Sequence, residues 1–499
     1  MSAQSVTCRA ASYAGRVDLG VLTAAIPAEL VEDVIDQAGC REQRHRRLPA
    51  SVVVYFVLGL CLFNAADRFC PPGYRAVIRM LAGRWHGGLS SAGNVTSSAL
   101  TQARQRLGAK PLQVLFERLR GPATGPAQPW SHAFGRRIVA WDATTIAVAD
   151  SADNAAAFGY QGHGANDTEA TNSAADTPAE TRRGGRSIGA NPLLRLMTLI
   201  ECGSHAIIDA VFDGVARTSE QALARQLLAS LAPGMLLLAD RNFLSYPLWN
   251  AAIGTGADLL WRVKSSSRLV ATKHLPDGSF LAVLPTPAET KRLGYIRSKY
   301  GRDEIPFQGH QVRVVAFTIT IQTSAGQTRV EDYRLLTTLL DHAEAPAHEL
   351  AALYHERWEA ENSNAELKPR LIGADVTLRS RTRDGVEQEI YAFLSLYQAL
   401  TQLRVQAAAV ASLDPDRISF LITIRAVRAN ITDPDRNHAR RRSALIKHMI
   451  EDQLGQRRPR TSPRQRVPHP NKYPAKRRDQ PQCSTRIHTE ITITGPREP

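Results

Sequence analysis

Apolar and polar positions alternate with different periods along the chain. In the first quarter, apolar residues recur at helical spacing in the segments 22–38, 52–63, 74–81 and 98–119. The last segment divides into two helices across a short glycine turn, which fits either a helix-turn-helix that reads DNA or a plain helical hairpin. We therefore predict a helical N-terminal domain over residues 1–125.

Past a Gly/Pro-rich linker, the pattern changes to short apolar runs of strand length. Strands are predicted at 138–148, 193–200, 206–212, 235–239 and 258–263, with helices at 218–231 and 248–253. This order predicts a mixed α/β sheet over residues 130–263. Residues 150–191 lack any periodicity, so we expect a long loop there.

The remaining chain changes character three times. Residues 264–340 combine strand-like alternation with turn signals, which predicts an all-β insertion. Helical patterns resume over 341–410, as the C-terminal part of the core, and continue through a helical extension over 411–450. Residues 451–499 are rich in Pro, Arg and Gln, so a disordered basic tail is expected.

Charge adds a preference for an anionic partner. The 499 residues carry a formal net charge of +15 at pH 7. Nine Lys and Arg residues without an acid lie within 457–478, so the rest of the chain is only mildly basic. We expect the tail to add non-specific affinity for DNA, with a steep dependence on salt.

One apolar run raises the question of a membrane. Residues 48–66 are uncharged and contain the dense run 52–63, preceded by three arginines. Because 12 residues are too short to span a bilayer, we expect a buried core helix. The six scattered cysteines form no zinc-type cluster, and no signal peptide is expected at the N-terminus. A reduced, cytoplasmic location fits these features.

Residues 354–368 carry polar groups at an unusual spacing. In a helix, Tyr354, Arg357, Glu361 and Lys368 would fall within about 60° of arc. A carboxylate flanked by two cations and a phenol favours a phosphate-like ligand, with the carboxylate left for a metal ion. A solvated helix face with incidental ion pairs is the alternative.

Three carboxylates occur where an α/β sheet could bring them together. Asp142 lies within the first strand, Asp240 directly follows the strand at 235–239, and Glu361 lies on the helix after the insertion. Converging acids repel one another unless cations neutralise them. Hard oxygen donors without nearby His or Cys favour two Mg²⁺ ions, with Mn²⁺ as a substitute. Either aspartate alone would be an ordinary strand-end acid.

These residues resemble a known signature. The spacing Tyr354-x2-Arg357-x3-Glu361-x6-Lys368 resembles the Y-R-E-K signature of the insertion sequence 4 (IS4) family of bacterial DDE transposases. The resemblance covers roughly residues 20–410.

Two further motifs carry the resemblance. Asp142-Ala-Thr-Thr is similar to the family's first-acid motif, and Asp240-Arg-Asn-Phe is similar to its second. The departures are Ala143 and Asn242, which stand where glycine is common.

The resemblance implies an RNase H-like core interrupted by the insertion. It implies an enzyme that binds the terminal inverted repeats of an insertion sequence, cleaves the element ends and transfers the 3′-hydroxyl ends to target DNA. Asp142, Asp240 and Glu361 would be the catalytic and metal-binding residues, acting with two divalent ions. The implied partners are double-stranded DNA and a second copy in the synaptic complex, at the bacterial nucleoid. Neither a membrane nor a small-molecule substrate is expected.

The resemblance also implies contacts to DNA. Arg357 and Lys368 would hold phosphates near the cut, as a bidentate fork and a point charge, and Tyr354 would bond a phosphate. Arg241, beside the second acid, is a further candidate. Tyr333 is the candidate aromatic for stacking a flipped base, although a strand aromatic in the core is the simpler explanation.

Other classes of protein stay open on the sequence alone. They are a catalytically inactive DNA-binding relative, a structure-specific nuclease on the same core, and a membrane-attached protein that uses the run 52–63. Intact acids disfavour the first and the Arg357 and Lys368 spacing disfavours the second.

Overall fold

The computed structural model describes residues 19–44, 46, 48–64, 72–82, 95–126, 128–160, 190–264, 267–323, 328–374, 376–432, 438–455 and 487–495. The chain forms two compact units. The first comprises Met1–Ser131, Trp141–Leu227 and Glu359–Gln456, and the second comprises His132–Ala140, Leu228–Trp358 and Arg457–Pro499.

The α-helices of the described residues are numbered in chain order. They are α1 (Ala28–Gln37), α2 (Ala50–Leu62), α3 (Tyr74–Ala82), α4 (Ser97–Leu107), α5 (Lys110–Leu119), α6 (Ala152–Phe158), α7 (Glu220–Leu227), α8 (Tyr246–Ile253), α9 (Pro287–Tyr300), α10 (Ala347–Leu353), α11 (Trp358–Ala365), α12 (Arg383–Val410), α13 (Phe420–Thr432) and α14 (His438–Glu451). Short 3₁₀ turns cover Gly20–Ala24, Pro129–Ser131, Leu228–Ser230, Tyr354–Arg357 and Pro415–Arg417, and a π-helix covers Glu366–Gly373.

The strands are numbered in the same way. They are β1 (His132–Ala133), β2 (Arg136–Ala147), β3 (Leu193–Glu201), β4 (Ile207–Gly214), β5 (Met235–Ala239), β6 (Asp258–Arg262), β7 (Ala271–His274), β8 (Phe280–Pro285), β9 (Gly309–Thr323), β10 (Thr328–Thr337) and β11 (Ile487–Ile493). The mixed α/β class and the helical N-terminal region predicted from the sequence are confirmed.

A long helix organises the core of the first unit. Over α12, most side chains between Val386 and Leu403 are buried, and the helix packs against α2 and α5. All 13 residues of α2 are buried, so its dense apolar run serves the core, as predicted. Among the described residues, no helix is both long enough and apolar enough to cross a membrane. The same unit holds the strand order β4–β3–β2.

The second unit is built on a larger sheet. Its strand order is β2–β5–β6–β10–β9–β8–β7. Strand β2 is parallel to β5 and β5 is parallel to β6, whereas β10 is antiparallel to both β6 and β9. The apolar strand β5 is buried from Leu236 to Ala239, as a central strand with neighbours on both sides requires.

The prediction of an all-β insertion over 264–340 is wrong, because helix α9 lies within it. The local sequence supports this helix at both ends. The Thr286 side chain accepts a hydrogen bond from the amide of Glu289, and Pro287 occupies the first turn. Gly301 then ends the helix with φ +67°, a left-handed conformation that glycine adopts at little cost.

The basic tail predicted to be disordered over 451–499 contains one described strand. Helix α14 continues to Glu451, and β11 pairs antiparallel with β9, with Ile491 opposite Ile319. The unpaired backbone groups of a strand edge favour such pairing, and β11 is rich in the β-branched residues Ile and Thr, which suit a strand. The basic stretch 457–478 lies outside the described residues.

The expected loop over 150–191 begins with a helix instead. Helix α6 starts after Ser151, whose hydroxyl accepts a hydrogen bond from the amide of Asn154. Residues 161–189 of the expected loop lie outside the described residues.

Candidate active site

Asp142 lies where β2 changes from buried to half-exposed. Ile138 to Trp141 are buried, whereas Asp142 and the three residues after it are half-exposed. The apolar half of the strand therefore anchors a carboxylate at the margin of the core.

Glu361 is half-exposed on helix α11. The same helix carries the buried residues Ala360, Ser363 and Asn364. The Nδ2 atom of Asn364 donates a hydrogen bond to Oδ2 of Asp142 at 3.1 Å. Because Asn364 is three residues after Glu361, this bond ties the helix that carries one predicted acid to the strand that carries another. The sequence reasoning missed Asn364.

Asp240 directly follows β5 in the second unit. Its Oδ1 accepts a hydrogen bond of 2.7 Å from the backbone amide of Arg241, whose side chain is exposed. In the parallel pair of β2 and β5, Ala140 is opposite Leu238. Asp240 lies two residues beyond Leu238, as Asp142 lies two residues beyond Ala140.

Tyr354 is buried in the second unit. Its hydroxyl donates a hydrogen bond of 3.1 Å to the carbonyl of Ala239, the last residue of β5. Burial raises the pKa of the Tyr354 phenol, so the hydroxyl keeps its proton. In this arrangement, Tyr354 supports the end of the strand that leads to Asp240.

The segment 354–368 is not one regular α-helix, so the angles calculated at 100° per residue do not apply along its whole length. Tyr354–Arg357 is a 3₁₀ turn, Trp358–Ala365 is α-helical, and Glu366–Gly373 is a π-helix that contains Pro369. Proline lacks an amide hydrogen, so the regular α-helical bonding is interrupted at this position and a wider turn replaces it.

The two predicted cations differ in their surroundings. Arg357 is buried, with its guanidinium carbon 4.8 Å from the ring centroid of Trp358. Lys368 is half-exposed, and burial lowers the pKa of its ammonium group.

Tyr333 on β10 is half-buried in an aromatic cluster. Its ring stacks on Phe317 of β9 with centroids 5.3 Å apart, and the guanidinium carbon of Arg262 lies 4.0 Å from its centroid. Its hydroxyl donates to Glu331. Phe317 and Arg262 therefore already contact the ring of Tyr333, which is the residue predicted to stack on a flipped base.

A buried ionic network underlies helix α11. His205 contacts Glu359 through Nε2 and Glu366 through Nδ1, and Glu366 also accepts a 2.8 Å hydrogen bond from Arg404. Burial raises the pKa of Glu366, but Arg404 and His205 outweigh burial and hold this pKa at about 2.

This network marks the one place in the described part of the chain where His, Asp and Glu side chains have metal-like spacing. The ligand atoms of His205, Glu359 and Asp416 lie within 4.8 Å of one another. The predicted acids are not members of this cluster. Hydrogen bonds from His205 and Asn362 already reach Glu359, so an ion-pair network accounts for the contacts.

Two family descriptions match the chain. The description "Insertion element 4 transposase N-terminal" matches residues 16–117, and "Transposase DDE domain" matches residues 133–398. The second match covers more than half of the chain.

The chain belongs to the IS4-type family of DDE transposases. The RNase H-like core and the DNA-cutting and DNA-joining enzyme class predicted from the sequence are confirmed by this membership. Members of the family act on DNA with divalent metal ions.

Two transposases and one solved transposase structure are similar to this chain. The transposase InsG for insertion sequence element IS4 of Escherichia coli K12 is 26% identical over 398 residues, which are 79% of this chain and 78% of InsG. InsZ of the same strain is 26% identical over 240 residues, 47% of this chain and 68% of InsZ. This chain also matches a solved synaptic complex of piggyBac transposase with hairpin DNA. The match covers 92% of this chain and 86% of the matched chain, with a TM-score of 0.41 and 8% sequence identity. That TM-score alone does not establish a shared fold.

Proposed function

We propose that the protein cleaves the terminal inverted repeats of an insertion sequence and transfers the 3′-hydroxyl ends to target DNA, with Asp142, Asp240 and Glu361 as the catalytic acids. The observation that carries this proposal is the register of β2 and β5. Because Ala140 is opposite Leu238, the two aspartates follow matched positions of neighbouring parallel strands. Glu361 is tied to the same strand through Asn364.

The donor set fits a pair of divalent ions. It consists of three carboxylates without His or Cys, which suits Mg²⁺ or Mn²⁺. Asn364 is neutral, so its hydrogen bond orients the Asp142 carboxylate without neutralising it. Asp142, Asp240 and Glu361 would hold the two ions, which would supply activation of the attacking water or 3′-hydroxyl and stabilisation of the leaving oxygen.

The neighbouring residues would hold DNA around the cut. In this proposal Lys368 and Arg357 bind phosphates, and exposed Arg241 binds the backbone beside Asp240. A phosphate contact by Tyr354 stays a prediction, since its hydroxyl donates to Ala239 in this structure. Base stacking by Tyr333 stays a prediction as well, and it requires Arg262 to leave the ring.

The proposed partners are two DNA ends and a second copy of the chain. Joining both ends of an element to one target requires that two active sites act together, so a dimer or higher oligomer is proposed for the synaptic complex. The helical domain over 1–125 and the basic stretch 457–478 are proposed to bind DNA. The division of the chain at 1–125, 130–263, 264–340, 341–410, 411–450 and 451–499 stays a prediction.

The two aspartates provide the test. Asp142→Asn and Asp240→Asn should each abolish cleavage of a DNA fragment that carries the terminal repeats, while binding of the fragment stays within a few-fold. Asp150→Asn, which changes an acid in the same region outside the proposed triad, is the matched control and should cleave normally. Cleavage by either triad variant at the parent rate would overturn the assignment.

A further inference from the structure

Exposed apolar side chains are concentrated at one place in the insertion. In the described part of the chain, eight large hydrophobic side chains are exposed, and four of them lie between residues 295 and 307. They are Tyr295, Tyr300, Ile305 and Phe307, with 60%, 58%, 48% and 82% of their surface exposed. A cluster of this kind, on the surface of a folded unit, is typical of an interaction site.

Cations stand beside these rings. The Nζ atom of Lys299 lies 5.5 Å from the ring centroid of Tyr295 and 5.2 Å from that of Tyr300. The guanidinium carbon of Arg302 lies 5.8 Å from the Tyr300 centroid. Lys291 is four residues before Tyr295 and is also exposed, so Lys291, Tyr295 and Lys299 follow one face of α9 on successive turns.

The acids of this segment are already neutralised by arginines. Glu289 pairs with Arg292, Asp303 pairs with Arg297, and Glu304 pairs with Arg292. Within the residues that the structure describes, no carboxylate forms an ion pair with Lys291 or Lys299. The two lysines therefore present uncompensated positive charge next to exposed aromatic rings.

We propose that the α9 surface, formed by Lys291, Tyr295, Lys299 and Tyr300, is a DNA-docking site. Lysines neutralise phosphates, and tyrosine hydroxyls bond phosphate oxygens and sugars without sequence preference. The chemistry suits the backbone of a duplex that is held rather than cut.

This inference rests on the proposed function and deepens it, because it assigns part of the DNA binding to helix α9 inside the insertion. Positive charge would suit either DNA or an acidic protein surface. DNA is favoured because the substrate of the proposed enzyme is itself a polyanion. A contact with a second copy of the chain is a different outcome that the experiment separates.

Binding without cleavage is the appropriate assay. All variants are made in the Glu361→Gln chain, and affinity for a fluorescein-labelled, random-sequence duplex is measured by anisotropy over a series of salt concentrations. Lys291→Ala with Lys299→Ala should reduce the steepness of the plot of log affinity against log salt by about 2, since each phosphate contact contributes about 0.9. Tyr295→Ala with Tyr300→Ala should weaken binding by about fivefold or more with an unchanged slope, because the tyrosines carry no charge.

A matched control replaces two other exposed lysines, Lys273 and Lys447, by alanine. This control should keep the parent slope. Parent-like binding by both α9 variants would overturn the proposal, as would an equal effect of the control. A change in oligomeric state by size-exclusion chromatography, with DNA affinity unchanged, would also overturn it. If the Glu361→Gln chain itself bound no DNA, the proposed function would fail together with the surface.

Discussion

Asn364 donates a hydrogen bond of 3.1 Å to the carboxylate of Asp142, across 222 positions of the sequence. Asn364 belongs to α11, three residues after Glu361, and Asp142 belongs to β2. The orientation of one proposed metal ligand thus depends on the helix that carries another. Helix α11 is in turn held from its buried side by the His205 network.

Asn364→Ala tests this dependence. A hydrogen bond to a charged group contributes about 1.5–3 kcal/mol, so losing it should slow cleavage by roughly 10- to 100-fold. The Mg²⁺ concentration required for half-maximal cleavage should also rise, which a purely structural defect would not cause. Asn362→Ala, which removes an amide that contacts Glu359 instead, should leave the Mg²⁺ requirement unchanged. Equal Mg²⁺ requirements in all three proteins would argue against a positioning role for Asn364.

The free energy of unfolding should depend on pH through the protonation of the Asp416 carboxyl group. Burial raises the pKa of Asp416 to about 7, against the opposing effects of His205 and Arg404 and with the support of Asp414 and Glu366. The folded state therefore keeps a proton that the unfolded chain loses near pH 4. Stability should fall as the pH rises between these two values, because the folded state binds more protons there.

Asp416→Asn removes this titration. The variant should melt a few degrees higher than the parent at about pH 8, with a smaller difference at about pH 5. Thermal melts at both pH values measure the effect, and Asp452→Asn, at an exposed carboxylate, should show none. A melting difference that is the same at both pH values would show that Asp416 does not titrate in this range.

Strand β11 should protect the edge of β9. Removing residues 487–499 exposes backbone groups of Phe317 to Thr323 that pair with Ile487 to Ile493. Hydrogen exchange measured by mass spectrometry should become faster in peptides that cover 317–323. Removing only residues 496–499 should leave the exchange unchanged. Unaltered protection after the longer deletion would mean that the β11 pairing is not stable in solution.

The sequence predicts those parts of the fold that depend on local pattern. The uniformly buried helix α2, the apolar strand β5 and the long helix α12 follow from hydrophobic runs and their length. Helix α9 was equally predictable, since Thr286, Pro287 and Gly301 supply its start and stop signals. The strand-like alternation in the rest of residues 264–340 favoured an all-β prediction despite these signals.

Contacts between distant residues could not be predicted in the same way. His205 lies in a turn after β3, at φ +63°, and no motif connects it to Glu359 or Glu366. Those two glutamates look like solvated helix charges in the sequence, yet both are buried in an ion-pair network. The proposed assignment of the three acids, in contrast, rests on family motifs, which carry information that periodicity lacks.

The most direct test of the central claim is the cleavage activity of Glu361→Gln. The substitution keeps the size of the side chain and removes the charge that the proposed metal site requires. With Mg²⁺ and a DNA fragment carrying the terminal repeats, the account predicts no cleavage above background, with DNA binding within a few-fold of the parent. A Glu361→Gln protein that cleaves the ends at the parent rate would contradict the account.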